Sequence, residues 1–122
     1  MNYIDIATFK QKIAVPDKSA KCYLMVILTQ NQLNSSGVTM RGFLNAFDNA
    51  VNTSGNLTTY IVYPTNFDDL AANDKATLTK YNPGNYDPFY TFIDQSGSPY
   101  GITQSGVCTD TDLLKLFKAI FP

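Results

Sequence analysis

The sequence contains no histidine, no tryptophan and no glutamate, so all 10 of its acidic residues are aspartates. Without histidine the chain lacks the side chain that most often moves protons at neutral pH. Ser-His-Asp catalysis, Cys-His catalysis and histidine-based metal sites are therefore excluded within one chain. Aspartate, tyrosine and lysine remain for acid–base work, but each would need a large pKa shift. We expect no catalytic residue, no metal site and no cofactor.

Cysteine is scarce as well. Cys22 and Cys108 lie far apart in the sequence and form no C-x-x-C pair. In a cytosolic protein both are expected to be free thiols. Cys22 opens an apolar run, so we predict that it is a small core residue. Two isolated cysteines without histidine do not make a zinc site.

Charge and long apolar runs are also limited. Charged residues make up 16% of the chain and the net charge is −1. Nucleic-acid-binding domains usually carry a basic patch on a basic domain, so we expect no nucleic-acid partner. No run of 18 apolar residues exists, and the first ten residues lack the basic-then-apolar pattern of a secretion signal. We therefore expect no membrane partner, and a protein that is cytoplasmic or part of a particle assembled in the cytoplasm.

What the chain does have is a hydrophobic fraction of 44% in 122 residues, which predicts one globular domain over residues 1–122. Apolar spacing predicts strands near residues 3–6, 22–29, 57–64, 88–94 and 100–106. It predicts helices near residues 7–15, 38–52, 70–78 and 112–121. The side chains that we expect to cap the last three helices are Ser35 or Ser36, then Asn66, Asp68 and Asp69, then Thr109 or Asp110.

The resulting order is β-α-β-α-β-α-β-β-α. Alternating units are typical of a parallel sheet with helices on both faces, and the final hairpin adds antiparallel pairing. The continuous apolar run over residues 22–29 suits a central strand that is covered on both faces. The predicted fold class is α/β, a three-layer sandwich around a mixed sheet.

This order and three segments resemble the thioredoxin fold, and the resemblance spans nearly the whole chain. "KYNPGNYDPFYTFIDQSG" resembles the family's loop into a cis-proline and an apolar strand, with Pro88 in the cis-proline place. "SGVCTDTDLLKLFKAIF" resembles the last segment, with Gly106 in the place of the glycine that ends the last strand. "LMVILTQNQLNSSGVTM" lies where the family has its central strand and its C-x-x-C motif. The resemblance implies a thioredoxin-like three-layer sandwich.

The chain departs from this family where the family does its chemistry. Leu33, Asn34, Ser35 and Ser36 take the place of the two cysteines and the pair between them, and Ile27 takes the place of a buried acid. Dithiol–disulfide exchange needs a thiolate with a lowered pKa, and this segment holds no cysteine. The turn is most simply a connection and cap between strand and helix, and we expect no redox activity.

The resemblance nevertheless implies a binding cleft, in which the residue before the proline offers its backbone to an extended peptide. The matching residues are Asn34, Ser35, Ser36, Tyr86, Asp87, Pro88, Gly106 and Val107. The resemblance implies a cis bond between Asp87 and Pro88, whereas a loop-to-strand junction would also fit a trans bond. The first hypothesis is a redox-inactive, protein-binding domain.

Two alternatives stay open. The second hypothesis is a structural or assembly subunit of a larger complex, for example a virion component, because 8 tyrosines and a low charge suit a protein in contact with others. The third is an enzyme that uses Cys108, because a helix N-terminus can lower a thiol pKa. Cys108 has no evident base or partner cysteine, so we expect a non-catalytic protein.

Overall fold

Strand and helix alternate along the chain in the predicted order. The computed structural model describes residues 2–14, 22–27, 29, 40–52, 57–62, 67–106 and 108–121. Within these ranges the strands are β1 (Asn2–Ile4), β2 (Cys22–Ile27), β3 (Leu57–Val62), β4 (Phe89–Asp94) and β5 (Pro99–Ser105). The helices there are α1 (Ile6–Ala14), α2 (Met40–Asn52), α3 (Ala72–Tyr81) and α4 (Asp110–Ile120), and a short 3-10 helix (Phe67–Asp69) precedes α3. The order β-α-β-α-β-α-β-β-α is confirmed.

The strands form one mixed sheet in the order β1-β3-β2-β4-β5. β1, β3 and β2 are parallel, whereas β4 is antiparallel to both β2 and β5. We call one end of β4 the loop end, where Phe89 pairs with Ile27 and Ser105. The other is the hairpin end, where Asp94 pairs with Cys22. The last residue of β2, the first of β4 and the last of β5 therefore meet at the loop end.

β2 is a central strand that is buried on both faces, as its apolar run predicts. Leu24 and Val26 point to one face of the sheet, while Tyr23 and Met25 point to the other. Cys22 is fully buried, and that burial raises the pKa of its thiol to about 12. The prediction that Cys22 is a small core residue is confirmed.

Each face of the sheet carries its own hydrophobic core, which makes the molecule a three-layer sandwich. The α2–α4 core consists of Cys22, Leu24, Val26, Met40, Phe43, Leu44, Phe47, Val51, Leu57, Ile61, Tyr90, Phe92, Cys108, Leu113 and Phe117. The α1–α3 core consists of Ile4, Phe9, Tyr23, Met25, Tyr60, Val62, Leu78, Tyr81 and Ile93. Residues of β2, β3 and β4 alternate between the two cores because successive side chains of a strand point to opposite faces.

One predicted helix cap is observed and another is not. α4 is capped by Thr109, whose hydroxyl accepts from the N–H of Asp112 while the Asp112 carboxylate accepts from the N–H of Thr109. The prediction that Asp68 or Asp69 caps the third helix is wrong. Both lie in the 3-10 helix, and α3 begins after Ala71 with no side-chain cap.

The reason for this difference is packing. Phe67 and Leu70 both rest against the α1–α3 core, and the N–H of Leu70 donates to the carbonyl of Phe67. This tight turn brings two apolar side chains onto the core before the α-helix starts. The other predicted caps, Ser35, Ser36 and Asn66, lie outside the described residues.

Candidate functional site

Three segments converge at the loop end of the sheet: the chain after β2, the loop before β4 and the chain after β5. The register of β2, β4 and β5 places their ends side by side. The backbone N–H of Gly106 donates to the carbonyl of Pro88 at 2.9 Å, which extends the pairing of β4 and β5 beyond Ser105. Gly106 has a positive φ of 78°, a conformation that glycine adopts readily.

The Asp87–Pro88 peptide bond is cis, the isomer that the thioredoxin resemblance implies. Pro88 is buried whereas Asp87 is exposed. The Asp87 carboxylate lies against Thr29, two residues beyond the end of β2. One oxygen accepts from the backbone N–H of Thr29 at 2.8 Å, and the other accepts from its hydroxyl at 2.7 Å. Asp87 thus fixes the start of the segment that follows β2 to the loop that precedes β4.

A buried asparagine organises the loop formed by residues 82–88. Asn82 is only 4% exposed. Its side-chain amide donates to the carbonyl of Tyr86 at 2.9 Å, and its side-chain oxygen accepts from the N–H of Tyr86 at 3.0 Å. Its own carbonyl accepts from the N–H of Asn85. Two residues therefore hold the loop. Asn82 binds the backbone of Tyr86, and Thr29 binds the carboxylate of Asp87.

The loop presents an aromatic ring. Tyr86 is 53% exposed, although its ring stacks on that of Phe89 with 6.0 Å between centroids and 19° between planes. A Cβ atom at Gly84 would lie 2.2 Å from the Tyr86 ring, so any other residue at this position would displace the ring. The loop holds Tyr86 in a defined position while leaving more than half of it to solvent.

Cys108 lies between β5 and α4 and is buried in the α2–α4 core. It is 6% exposed, and burial, which outweighs a hydrogen bond with Tyr90, raises the pKa of its thiol. The hydroxyl of Tyr90 also donates to the Met40 sulfur at 3.6 Å. The suggestion that the N-terminus of α4 lowers the thiol pKa of Cys108 is therefore wrong, because the thiol is buried in the α2–α4 core. Cys22 is at the hairpin end of β2, opposite the loop end.

The predicted site residues divide into two groups. Tyr86, Asp87, Pro88 and Gly106 are brought together at the loop end. The other four, Asn34, Ser35, Ser36 and Val107, lie outside the described residues. The part of all eight residues in a cleft stays a prediction.

Sequence reasoning missed Asn82 and Thr29, the two residues that fix the loop. Asn82 stands before Pro83 and Gly84, where an asparagine is ordinarily attributed to turn formation. Thr29 stands at the end of an apolar run, where nothing distinguishes it from a strand residue. Only the three-dimensional pairing reveals that both act on the same loop.

No group of three or more histidine, cysteine or acidic side chains that could hold a metal ion occurs among the described residues. No helix in the described part of the chain is long and apolar enough to cross a membrane. What the loop end offers is a fixed backbone, an exposed aromatic ring and a carboxylate.

The comparison with solved structures decides the fold. The structure aligns with a solution structure of oxidised thioredoxin from Plasmodium falciparum at a TM-score of 0.62, with 12% identity over 98% of this chain and 97% of that one. The chain has the thioredoxin fold. A second Plasmodium falciparum thioredoxin structure aligns at a TM-score of 0.59 with 13% identity, covering 98% of both chains. A cysteine-to-serine mutant of Entamoeba histolytica thioredoxin aligns at 0.58 with 9% identity, also over 98% of both.

The thioredoxin fold is shared while the sequence is not. No protein-family profile matches the sequence, and no curated protein matches it either. At these identities the solved structures establish the architecture, and activity has to be argued from the site. The sequence has no C-x-x-C motif, and its two cysteines are free and buried.

Proposed function

We propose that this protein is a redox-inactive thioredoxin-like domain that binds a protein partner at the loop end and catalyses no reaction. The observation that carries the proposal is the prearranged 82–88 loop, held by Asn82 on one side and by Thr29 on the other. A binding surface that is already ordered loses less conformational entropy when a partner arrives. The proposed site comprises the eight cleft residues that the sequence predicts.

The backbone of Asp87 supports an extended partner. Among the described residues no hydrogen bond uses its backbone N–H or carbonyl, although its side chain is engaged by Thr29. Asp87 is also exposed. An extended peptide could pair with these two groups in the manner of strand addition. Main-chain pairing would supply affinity, and the neighbouring side chains would supply specificity.

The absence of dithiol chemistry in this proposal rests on the positions of the cysteines. Cys108 is buried and its thiol pKa is raised, and Cys22 is at the opposite end of β2. A thiolate is the reactive form, so a raised pKa lowers reactivity at neutral pH. We expect the protein to reduce a disulfide substrate no faster than the buffer does, and replacement of both cysteines by alanine to leave partner binding unchanged.

The test is a selection of peptides from a random display library, followed by affinity measurement with fluorescently labelled peptides. Tyr86→Ala is expected to weaken binding about tenfold, a typical effect for an exposed aromatic contact residue. The matched control is Tyr100→Ala, since Tyr100 is 40% exposed but lies near the hairpin end of β5. Failure to select any peptide, or equal effects of the two variants, would refute a cleft at the loop end.

The second candidate is a structural or assembly subunit, for example of a virion. It is favoured by the sheet edges: β1 exposes Tyr3 at 41%, and β5 is exposed along most of its length. Such a protein would form a large particle in light scattering, and Tyr86→Ala would leave that particle intact. A monomer whose peptide binding depends on Tyr86 would count against this candidate. In either role we propose a protein that works in the cytoplasm or in a particle assembled there, with no nucleic-acid or membrane partner.

A further inference from the structure

We propose that the loop-end cleft selects a partner segment carrying an arginine or lysine, whose charged group pairs with the Asp87 carboxylate and packs on the Tyr86 ring. The inference rests on the proposed function and deepens it by naming the chemistry of the partner. It starts from Asp87, which is exposed. In the described part of the chain, its two oxygens accept only from the neutral groups of Thr29. Among the described residues no cation forms an ion pair with it.

The remaining residues of the cleft carry no charge. Tyr86, Pro88 and Gly106, the other described residues assigned to the cleft, all have neutral side chains. Asp87 is therefore the one formal charge among these four described residues. The geometry leaves that charge usable, because each carboxylate oxygen has a second lone pair beyond the one that Thr29 occupies. An arginine can engage both oxygens of a carboxylate at once.

The second feature is the exposed Tyr86 ring, and the chain itself shows how it covers such rings elsewhere. The guanidinium of Arg41 lies 5.7 Å from the centre of the Tyr3 ring, and the ammonium of Lys12 lies 5.3 Å from that of Tyr60. Among the described residues, Tyr86 is the most exposed large hydrophobic side chain, and no cation lies over its ring there. A cation from a partner would make the same favourable contact.

Other partner chemistries fit the site less well. An acidic segment would meet the Asp87 charge and be repelled. A purely apolar segment would remove the carboxylate from water without giving it a partner, and an unpaired buried charge is strongly unfavourable. Only a cationic side chain satisfies the carboxylate and the ring together. Both side chains belong to exposed residues of the 82–88 loop.

The test combines one protein variant with one peptide change. Peptides from the library selection are expected to be enriched in arginine or lysine. In the best peptide that residue is replaced by citrulline for arginine, or acetyl-lysine for lysine, which removes the charge and keeps the length. Asp87→Asn removes the protein's charge but keeps an oxygen for the Thr29 N–H, so the loop should stay in place. Each change alone is expected to weaken binding about tenfold, as for a charge pair that becomes desolvated.

Two controls separate this pairing from general effects. The double change should weaken binding no more than either single change, because both remove the same interaction. Asp68→Asn removes the same charge from an exposed residue with no hydrogen bond or ion pair in the described part of the chain, and it should leave affinity within about twofold. Melting curves of both variants check that folding is retained.

The outcomes are distinguishable. If peptides bind in a Tyr86-dependent way but carry no basic residue, and Asp87→Asn changes nothing, the inference is overturned while the proposed function stands. The inference is overturned in the same way if the two single changes have additive effects. If no peptide binds, or if binding ignores Tyr86, the inference and the proposed function fail together.

Discussion

An aspartate and an exposed tyrosine lie near each end of strand β4, Asp87 and Tyr86 at the loop end and Asp94 and Tyr100 at the hairpin end. The two aspartates are used differently. At the hairpin end, one oxygen of Asp94 accepts from the N–H groups of Ser96 and Ser98 and from the Ser96 hydroxyl. All of these donors lie within four residues of it. At the loop end, Asp87 accepts from Thr29, which is 58 residues away in the sequence. The first aspartate closes its own turn, and the second joins two segments.

Under the proposed function, this difference separates a structural end from a binding end. The hairpin is packed onto the body of the protein, since the hydroxyl of Tyr81 donates to the carbonyl of Gly97 at 2.8 Å. Its aspartate directs one oxygen to three donors within the turn. The loop end is held just as firmly, by Asn82 and Thr29, but it leaves a carboxylate and a ring exposed. Firm support combined with unused polar groups is what a recognition surface requires.

The largest difference between the two ends is expected from glycine substitutions. Gly97 and Gly106 both have a positive φ, of 85° and 78°, in which any other residue is strained. At Gly97 an added Cβ would lie 2.2 Å from the backbone oxygen of Ile13, whereas at Gly106 it would meet no atom of the described residues within 4 Å. Gly97→Ala should therefore lower the free energy of unfolding by about 2–4 kcal/mol. Gly106→Ala should lower it by only about 1 kcal/mol.

Urea unfolding of the two variants at pH 7 measures this contrast. The matched φ values make Gly106→Ala a control for the backbone term, so the excess at Gly97 reports the clash with α1 alone. Equal losses for both variants would mean that the hairpin moves away from α1 at little cost. The structural role assigned to the hairpin end would then be wrong.

The second prediction concerns the support of the loop end. Asn82→Ala removes both side-chain hydrogen bonds to the backbone of Tyr86. Because these groups are partly buried, the loss should be about 2–3 kcal/mol in the free energy of unfolding. Hydrogen exchange at residues 83–87 should speed up more than exchange in the hairpin. The control is Asn73→Ala, an exposed asparagine of α3, which should change stability by less than about 0.5 kcal/mol.

An outcome in which exchange rises equally at both ends would contradict this prediction. It would show that Asn82 supports the whole fold and has no particular effect on the 82–88 loop. An increase confined to residues 83–87 would instead establish that the loop can be loosened while the sheet stays intact. Peptide binding by the same variant would then measure how much the affinity depends on a prearranged loop.

The sequence predicts the fold well because the fold depends on patterns that are local. The apolar run of β2, the helical spacing of α2 and α4 and the capping pair Thr109 and Asp112 each lie within a few residues. The hairpin is local as well, since a glycine and an aspartate a few residues apart form its turn. The predicted cap of α3 is wrong because the packing of Phe67 and Leu70 on the core, a long-range effect, overrides the capping preference of Asp68 and Asp69.

The site is less predictable for the same reason. Tyr86, Asp87, Pro88 and Gly106 could be placed only through the resemblance to a known fold, which supplies long-range positions that periodicity does not. The Asp87–Thr29 contact joins residues 58 positions apart, and no spacing rule connects them. The thiol pKa of Cys108 is also hard to predict from the sequence. A helix N-terminus favours the thiolate and burial disfavours it, and the extent of burial is known only from the fold.

The third prediction weakens the hairpin end without touching the loop end. Tyr81→Phe removes the buried hydrogen bond to Gly97 and should lower the free energy of unfolding by about 1 kcal/mol. Tyr60→Phe is the control, since Tyr60 belongs to the same core and its hydroxyl has no hydrogen bond among the described residues. Peptide affinity should be the same for both variants and the wild type. A fall in affinity with Tyr81→Phe would show that the two ends are coupled through β4.

The smallest effect is a pH dependence at the hairpin end. The hydrogen bond from the Ser96 hydroxyl, together with backbone N–H donors, holds the pKa of Asp94 below its ordinary value of 3.8. The ionised carboxylate therefore stabilises the folded state fully above the ordinary pKa, and this contribution is lost as the pH falls through the lower pKa of the folded protein. Asp94→Asn should be less stable than the wild type at pH 7, and the difference should shrink as the pH is lowered below about 4.

This difference has to be measured against the wild type at each pH, because Asp5 and Asp112 also have lowered pKa values and destabilise every variant in acid. Subtracting the two unfolding curves cancels their contribution. Ser96→Ala removes the largest cause of the lowered Asp94 pKa and should show the same trend with pH, because the Ser96 hydroxyl stabilises the ionised carboxylate more than the neutral carboxyl. If the stability difference between Asp94→Asn and the wild type stayed constant from pH 7 to pH 3, the turn would depend on the shape of the Asp94 side chain and not on its charge. The charge of Asp94 would then play no part in the contrast with Asp87.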